Sequence, residues 1–311
     1  MQVADILQPI FYSFRLLSTR QGRRIMDCSR KTNIRQHLLI RFVALAIMLG
    51  ACSPIPSGGG DTVVPQHAST RIAQRGETTW DLVALGDSTP ACYGVSADHC
   101  YVQVYAKYVE QDLGINVAVH NWSTNSIRTV ADWVEIVRNN EELRDNLRNA
   151  QVITIWMGWH DLIPNIGVPL GGPCYPRAQE VNVDCLAEVT APMELAFNDL
   201  LSEVVSLVSP VETLILIADV GIPPLFVAGW KEDGTFDIMR RYAYEVWRDY
   251  IIQAASRYGV HVVHTYEVFN GPSGDQELSP EFMQSDNLHL NEQGHKLLAD
   301  RHRQIGYEYI R

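Results

Sequence analysis

The feature that most constrains the fold of this 311-residue chain is a regular alternation of short apolar runs with longer amphipathic stretches. The apolar runs, predicted to be strands, cover residues 80–85, 115–120, 152–157, 213–218 and 260–264. The amphipathic stretches, predicted to be helices, cover residues 101–113, 128–148 (with a break at 139–140), 188–208, 236–257 and 291–309. Continuous apolar runs of this length are typical of strands buried on both faces of a parallel sheet, whereas residues 115–120 alternate in polarity.

This order of elements predicts one α/β domain at residues 75–311, with a parallel sheet of about five strands between two layers of helices. In a three-layer α/β/α sandwich of this kind, ligands bind at the carboxyl ends of the strands. The longest segments without a periodic pattern follow the first, third and fourth strands. The segment at residues 162–187 contains four prolines and is expected to form a rigid rim around a site.

Residues 1–52 have the pattern of a targeting segment. Basic residues precede an apolar run at 42–51, which ends at Cys52 and is too short to span a bilayer comfortably. A signal peptide has this layout. The last four residues, LGAC, resemble the lipobox of bacterial lipoproteins, which implies lipidation of Cys52 and anchoring to the outer face of a bacterial membrane. The alternatives are a plain signal peptide or an uncleaved anchor.

Two segments flank this signal. Residues 1–25 are unusual in front of it, because a start at Met26 would give a signal peptide of normal length. Residues 53–74 open with a Ser-, Pro- and Gly-rich stretch and are expected to form a flexible tether to the domain.

The acidic charge of the chain narrows the range of partners. The formal net charge is −11, and beyond residue 52 there are 17 basic and 34 acidic residues. Binding to nucleic acid needs a clustered basic face, so nucleic acid is excluded and polyanionic substrates are disfavoured.

Four cysteines follow the signal segment: Cys92, Cys100, Cys174 and Cys185. Disulfides are favoured in an exported protein, and sequence proximity favours the pairs Cys92–Cys100 and Cys174–Cys185 among three pairings. Free buried thiols are the alternative. The chain has no Cys-x-x-Cys pair, and its histidines match no ligand set, so we expect no metal site and no cofactor.

Two short motifs carry the chemistry. Gly86-Asp87-Ser88 directly follows the first predicted strand, and a serine becomes a useful nucleophile only when a base removes its proton. Asp286 and His289 lie three residues apart, so that the carboxylate can hold one ring nitrogen while the other points away. Each motif alone is equally compatible with a turn at a strand end or with a helix N-terminus.

Together, these motifs resemble those of SGNH (GDSL-type) hydrolases, over residues 80 to 306. The first family block is matched by residues 86–88 with Gly94, and the last by Asp286 and His289 with residues 290–295. The resemblance implies a flavodoxin-like fold, with Ser88 as nucleophile, His289 as general base and then acid, and Asp286 as the group that orients it. No Gly-x-Ser-x-Gly motif occurs, which disfavours an ordinary α/β-hydrolase.

Two departures from the family pattern concern the oxyanion hole. The family's donors are the N–H of the nucleophile, a backbone N–H of a second-block glycine, and a third-block asparagine side chain. His160 occupies the asparagine position, where a neutral imidazole can still donate one N–H, and its alternative role is structural. The glycine position falls on Ser126, or on Asn125 if the alignment slips by one, and a required positive φ would favour Asn125. Trp159, beside His160, is expected to line the substrate pocket.

The sequence therefore predicts hydrolysis of a carboxylic ester, either a short-chain lipid or an acylated carbohydrate, through an acyl-Ser88 intermediate. Acyl transfer to a sugar by the same three residues is a second enzymatic alternative. A surface binding lipoprotein on a disabled hydrolase fold is the alternative from another class, and the changes at His160 and Ser126 support it.

Overall fold

The computed structural model describes residues 79–166, 171–177 and 180–308. The predicted signal peptide, the lipidation site Cys52 and the tether lie outside these residues. None of the helices in the described ranges is long and apolar enough to cross a membrane.

The core of the domain is a five-stranded, wholly parallel sheet with the strand order β2-β1-β3-β4-β5. The strands are β1 (Thr79–Gly86), β2 (Asn116–Asn121), β3 (Val152–Trp156), β4 (Leu214–Ala218) and β5 (His261–Val263). Every residue of β3 and β4 is buried, which requires cover on both faces of the sheet. The half-buried β2 lies at an edge, which explains why its sequence alternates.

The helices are α1 (Tyr101–Leu113), α2 (Val130–Asn139), α3 (Glu141–Asn149), α4 (Trp159–Ile166), α5 (Val183–Leu207), α6 (Pro224–Glu232), α7 (Phe236–Met239), α8 (Val246–Tyr258), α9 (Thr265–Asn270) and α10 (Glu292–Gln304). Helix α1 packs against α10, whereas α5 packs against α2 and α8. The predicted α/β fold with its five-stranded parallel sheet is confirmed.

Several helix ends follow from single residues. Gly114 adopts the left-handed conformation that ends α1. Thr129 and Asp132 form a capping box at the start of α2, and Asn140 both ends α2 and caps α3, as the predicted break at this point requires. Asn182 accepts a hydrogen bond from the N–H of Cys185 and starts α5 five residues earlier than its periodicity indicates.

The sequence pattern does not indicate three of the helices, and each of these three follows the carboxyl end of a strand. Helices α4, α6 and α9 are six to nine residues long, too short for a clear hydrophobic period. The predicted helix at 236–257 is interrupted by a π-helical segment, Arg240–Glu245. The two disulfides favoured by proximity are both present, Cys92–Cys100 in the loop after β1 and Cys174–Cys185 at the start of α5.

Candidate active site

The position of Ser88 is fixed by the end of β1. The N–H of Asp87 donates to the carbonyl of Trp156 at the end of β3, over 3.2 Å. Gly86 passes so close to Trp156 that a Cβ there would overlap the Trp156 carbonyl, so this position requires glycine. The chain then turns sharply, and the carbonyl of Ser88 accepts a hydrogen bond from the N–H of Tyr93.

Ser88, His289 and Asp286 are brought together at this carboxyl edge of the sheet, although Ser88 and His289 are 201 residues apart in sequence. Nε2 of His289 lies 3.2 Å from the Ser88 hydroxyl oxygen, and Nδ1 lies 2.7 Å from the Asp286 carboxylate. This is the arrangement in which an imidazole can take a proton from a serine while a carboxylate fixes its tautomer.

The Asp286 carboxylate is held in its ionised form. Partial burial by itself would raise the pKa of Asp286, but hydrogen bonds from the His289 ring and from the backbone N–H groups of His289 and Leu288 outweigh burial and lower the pKa overall. The short turn that makes these bonds possible includes Asn287, whose φ is 54°. An ionised Asp286 keeps the hydrogen of the His289 ring on Nδ1 and leaves Nε2 as an acceptor toward Ser88.

Two residues that sequence reasoning missed connect the serine loop to the histidine turn. Nε2 of the Gln284 side chain donates to the carbonyls of Tyr93 (2.8 Å) and Leu290 (2.9 Å), and the Gln284 N–H donates to the carbonyl of His289 (2.8 Å). The Tyr93 ring lies against the His289 ring, with their centroids 4.3 Å apart. The one available signal was Gly94, where a Cβ would overlap the Gln284 amide.

Residues 121–126, which hold the position of the family's second block, lie directly beside the serine loop. The N–H of Thr124 donates to the carbonyl of Gly86 over 3.0 Å and continues the pairing between β2 and β1. Neither Asn125 nor Ser126 has a positive φ. Ser126 donates its N–H to the Thr124 hydroxyl, over 3.1 Å, so that hydrogen is already used.

Two backbone N–H groups near the serine remain available to a ligand. Among the described residues, neither the N–H of Ser88 nor the N–H of Asn125 has a hydrogen-bond acceptor. Of the two predicted second-block donors, the geometry therefore favours Asn125 over Ser126.

His160 is a half-buried, neutral imidazole. Its Nδ1 lies 3.2 Å from both the N–H and the carbonyl of Arg128. Burial lowers the pKa of His160, contact with the Arg128 backbone opposes this, and nearby His289 lowers the pKa further. The Arg128 N–H can only donate and the Arg128 carbonyl can only accept, so Nδ1 accepts from the N–H when the ring hydrogen is on Nε2 and donates to the carbonyl when the ring hydrogen is on Nδ1. With the ring hydrogen on Nε2, His160 is both anchored to the backbone and able to donate from its other nitrogen.

Asp87 and Asp161 brace the site loops. Asp161 accepts a hydrogen bond from the N–H of Val130 at the start of α2 (3.0 Å), and burial raises its pKa to about 6. Asp87 accepts one from the N–H of Thr89 (3.3 Å), and burial raises its pKa to about 7. The other carboxylate oxygen of Asp87 is buried and has no partner among the described residues.

A small cavity of about 30 Å³ is lined in part by Thr89, Trp159 and Leu288, which are the sequence neighbours of Ser88, His160 and His289. Most of the side chains that line it are apolar, among them Trp156, Ile222 and Phe269. Trp159 therefore lines the same cavity as Thr89, the residue that follows Ser88. Its ring also stacks on Phe226 at a centroid distance of 5.6 Å.

Two histidines outside the catalytic group, His264 and His295, each have a separate contact. His264 contacts the buried carboxylate of Asp219 (3.1 Å), and His295 accepts a hydrogen bond from the N–H of Tyr101 (3.2 Å). Within the described ranges, no three His, Cys, Asp or Glu side chains are placed to hold a metal ion.

A model of the GDSL-like lipase/acylhydrolase family matches residues 84–297, a span that contains Ser88, His160, Asp286 and His289. A comparison with curated proteins finds no significant match.

The chain is similar to several solved structures. The lipase Lip_vut3 from a goat rumen metagenome has a TM-score of 0.59 at 18% identity, over 75% of this chain and 100% of that chain. The psychrotrophic esterase EstA from Pseudoalteromonas sp. has a TM-score of 0.46 at 16% identity, over 72% and 94%. A two-domain esterase (CEX) active on acetylated mannans has a TM-score of 0.48 at 12% identity, over 79% and 54%.

Proposed function

The chain belongs to the GDSL-like lipase/acylhydrolase family, and we propose that it is a serine esterase that hydrolyses carboxylic esters through an acyl intermediate on Ser88. The observation that carries this proposal is the continuous contact from Ser88 through His289 to Asp286, over 3.2 Å and 2.7 Å. A binding protein has no use for a serine aligned with a base and a carboxylate.

The first half of the reaction transfers the acyl group to the enzyme. Nε2 of His289 takes the Ser88 proton as the hydroxyl oxygen attacks the ester carbonyl, and Asp286 stabilises the imidazolium that forms. The negative charge that develops on the carbonyl oxygen is bound by the N–H groups of Ser88 and Asn125 and by Nε2–H of His160. The tetrahedral intermediate then collapses, and His289 returns the proton to the alcohol that leaves.

The second half regenerates the serine. A water molecule gives a proton to His289 and attacks the acyl carbon, and the second tetrahedral intermediate releases the carboxylic acid as the Ser88 oxygen recovers its proton. No step needs a metal or a cofactor. The neutral state of His160 suits this role, since a neutral donor stays in place through both halves without adding a second cation beside His289.

The test is turnover of p-nitrophenyl acetate by the full-length protein beside Ser88→Ala and His289→Ala. We expect each variant to lose about 10³-fold or more in kcat, because the residues of such a triad act as a unit. Ser206→Ala, on the exposed side of α5, is the matched control and keeps wild-type activity. Equal turnover in Ser88→Ala and wild type would exclude the proposal.

We also propose that the protein is exported and anchored by a lipid on Cys52. This rests on residues 30–52 alone: basic residues, a short apolar run and the LGAC quartet. Cells that express the protein are labelled with an alkyne palmitate analogue. Wild type is expected to take up label and remain in the membrane fraction, whereas Cys52→Ala is not. A labelled Cys52→Ala would place the lipid elsewhere.

A further inference from the structure

The small cavity is tied to all three parts of the site. Thr89 directly follows Ser88, Leu288 directly precedes His289, and Trp159 directly precedes His160; all three neighbours line the cavity. Ser88, His289 and His160 do not line the cavity themselves, so the cavity lies one residue away in sequence from the nucleophile, the base and the proposed oxyanion donor. In an ester, the group that lies closest to all three is the acyl part.

The chemistry of the walls suits a hydrocarbon. Apart from Thr89, the lining consists of apolar side chains and Gly221, and it contains no charged residue. Apolar side chains of this kind gain free energy from contact with a buried methyl or ethyl group, and no charged side chain lines the cavity to bind a charged group.

The size of the cavity limits the chain. Its volume is about 30 Å³, and a single water-sized group needs roughly 10–15 Å³. At the larger of these requirements, the cavity has room for about two such groups beyond the carbonyl. The acyl chains of acetate and propionate fit, whereas most of an octanoyl chain would have to remain outside.

Two contacts prevent the cavity from widening easily. The buried Asn270 holds the loop after β4 in place, since its side chain accepts from the N–H of Ile222 (2.6 Å) and donates to the Ile222 carbonyl (2.9 Å). On the same loop, a Cβ at Gly221 would overlap the Phe269 ring. The wall built from residues 220–222 is therefore fixed against α9.

The wall formed by Trp159 is held as firmly. Its ring stacks on Phe226 and meets the rings of Tyr244 and Trp247 edge-on, at centroid distances of 5.6 Å, 5.6 Å and 5.8 Å. Gly158 lets the chain pass over Trp247, because a Cβ there would overlap the Trp247 ring. Aromatic contacts of this kind keep the indole in one orientation.

We propose that this cavity receives the acyl group of the Ser88 intermediate and restricts the enzyme to acetyl and propionyl esters, with Trp159 as the residue that sets the limit. This inference rests on the proposed esterase function and names the substrate class of the same site. The alcohol part of the substrate lies outside the cavity, on the side of His289 and the exposed ring of Tyr93, and is not restricted by it.

The test is a series of p-nitrophenyl esters, from acetate through butyrate to octanoate, with the full-length protein below the micellar concentration of each ester. We expect kcat/KM to fall about tenfold from acetate to butyrate and further to octanoate, since each methylene that does not fit costs about tenfold or more. Trp159→Ala is expected to raise the octanoate-to-acetate ratio of kcat/KM about tenfold. Trp159→Phe keeps the aromatic contacts, and we expect a smaller rise in the same ratio.

Trp122→Ala is the matched control: Trp122 is another partly buried tryptophan, whose indole N–H donates to Asn146 away from the cavity. The octanoate-to-acetate ratio of Trp122→Ala is expected to match that of wild type.

If octanoate is hydrolysed as well as acetate, and both activities are lost in Ser88→Ala, the acyl limit is overturned and the esterase function remains. No Ser88-dependent turnover of any ester would remove the proposed function itself. The wild-type series decides the point even if a Trp159 variant does not fold.

Discussion

The side-chain amide of Gln284 donates a 2.8 Å hydrogen bond to the backbone carbonyl of Tyr93, and so joins the loop of the serine to the turn of the histidine. A second bond from the same amide reaches the carbonyl of Leu290, immediately after His289. The 3.2 Å contact between Ser88 and His289 is thus supported by a residue that touches neither reacting atom. Gln284 is a positioning residue.

Replacing Gln284 by Ala is expected to lower kcat for p-nitrophenyl acetate about 10-fold to 100-fold with little change in KM, because a displacement of about 1 Å costs up to about 10² in rate. Gln284→Glu is expected to lose as much, since a carboxylate cannot donate to the two carbonyls. Gln293→Ala, an exposed glutamine in the first turn of α10, is the control. A lower melting temperature without any loss of kcat would show that Gln284 stabilises the fold and does not position the site.

His160→Ala is expected to lower kcat about 10²–10³-fold, the usual cost of removing one oxyanion donor. His160→Asn, which restores the amide of the family pattern, is expected to recover most of that loss. Steady-state kinetics at one neutral pH compare the three proteins. Wild-type kcat in His160→Ala would assign His160 a purely structural role through its contact with the Arg128 backbone.

The stability of the protein is expected to depend on the ionisation of Asp87. Burial raises the pKa of Asp87 from 3.8 to about 7, so between these values the folded state holds a proton that the unfolded state has released. This group therefore favours the folded state at about pH 4, and the advantage is lost as the pH rises to about 7. At about 1.4 kcal/mol per pKa unit, the loss is a few kcal/mol.

Asp87→Asn removes this dependence, because its amide is neutral at every pH. Melting temperatures at about pH 5 and pH 8 test the idea: relative to wild type, Asp87→Asn is expected to be more stable at pH 8 than at pH 5. Asp249→Asn, at an exposed aspartate of α8, controls for the general effect of removing a negative charge. A pH-independent difference between Asp87→Asn and wild type would show that Asp87 is ionised throughout.

Much of the fold was predictable because its signals are local. The buried strands appear as apolar runs, and Gly114 and Asn140 mark helix ends within a few residues of the chain that they terminate. Asn182 is a helix-capping residue of the same kind, since its side chain accepts from the N–H of Cys185. The hydrophobic period of α5 becomes clear only further along the helix, so its start was predicted too late. The short helices α4, α6 and α9 have too few turns to show a period.

The catalytic residues of the site were predictable from the sequence, whereas the contacts that position them were not. The motifs around Ser88, Asp286 and His289 are contiguous in sequence, and the fold brings them together as expected. Gln284 acts on a carbonyl 191 residues away, and the tautomer of His160 depends on the backbone of Arg128, 32 residues away. No local pattern encodes such pairs, because each depends on where the sheet places two distant loops.

The central claim is that Ser88 is an activated nucleophile, and covalent labelling tests it most directly. The folded full-length protein is treated with a fluorophosphonate, and the site of modification is identified by peptide mass spectrometry. We expect one adduct per chain on Ser88, no adduct in Ser88→Ala, and slow labelling in His289→Ala, since the reaction requires a serine whose proton is removed by a base. Folded wild-type protein that takes up no label, or takes it up equally in Ser88→Ala, would contradict the account and favour a binding protein on this fold.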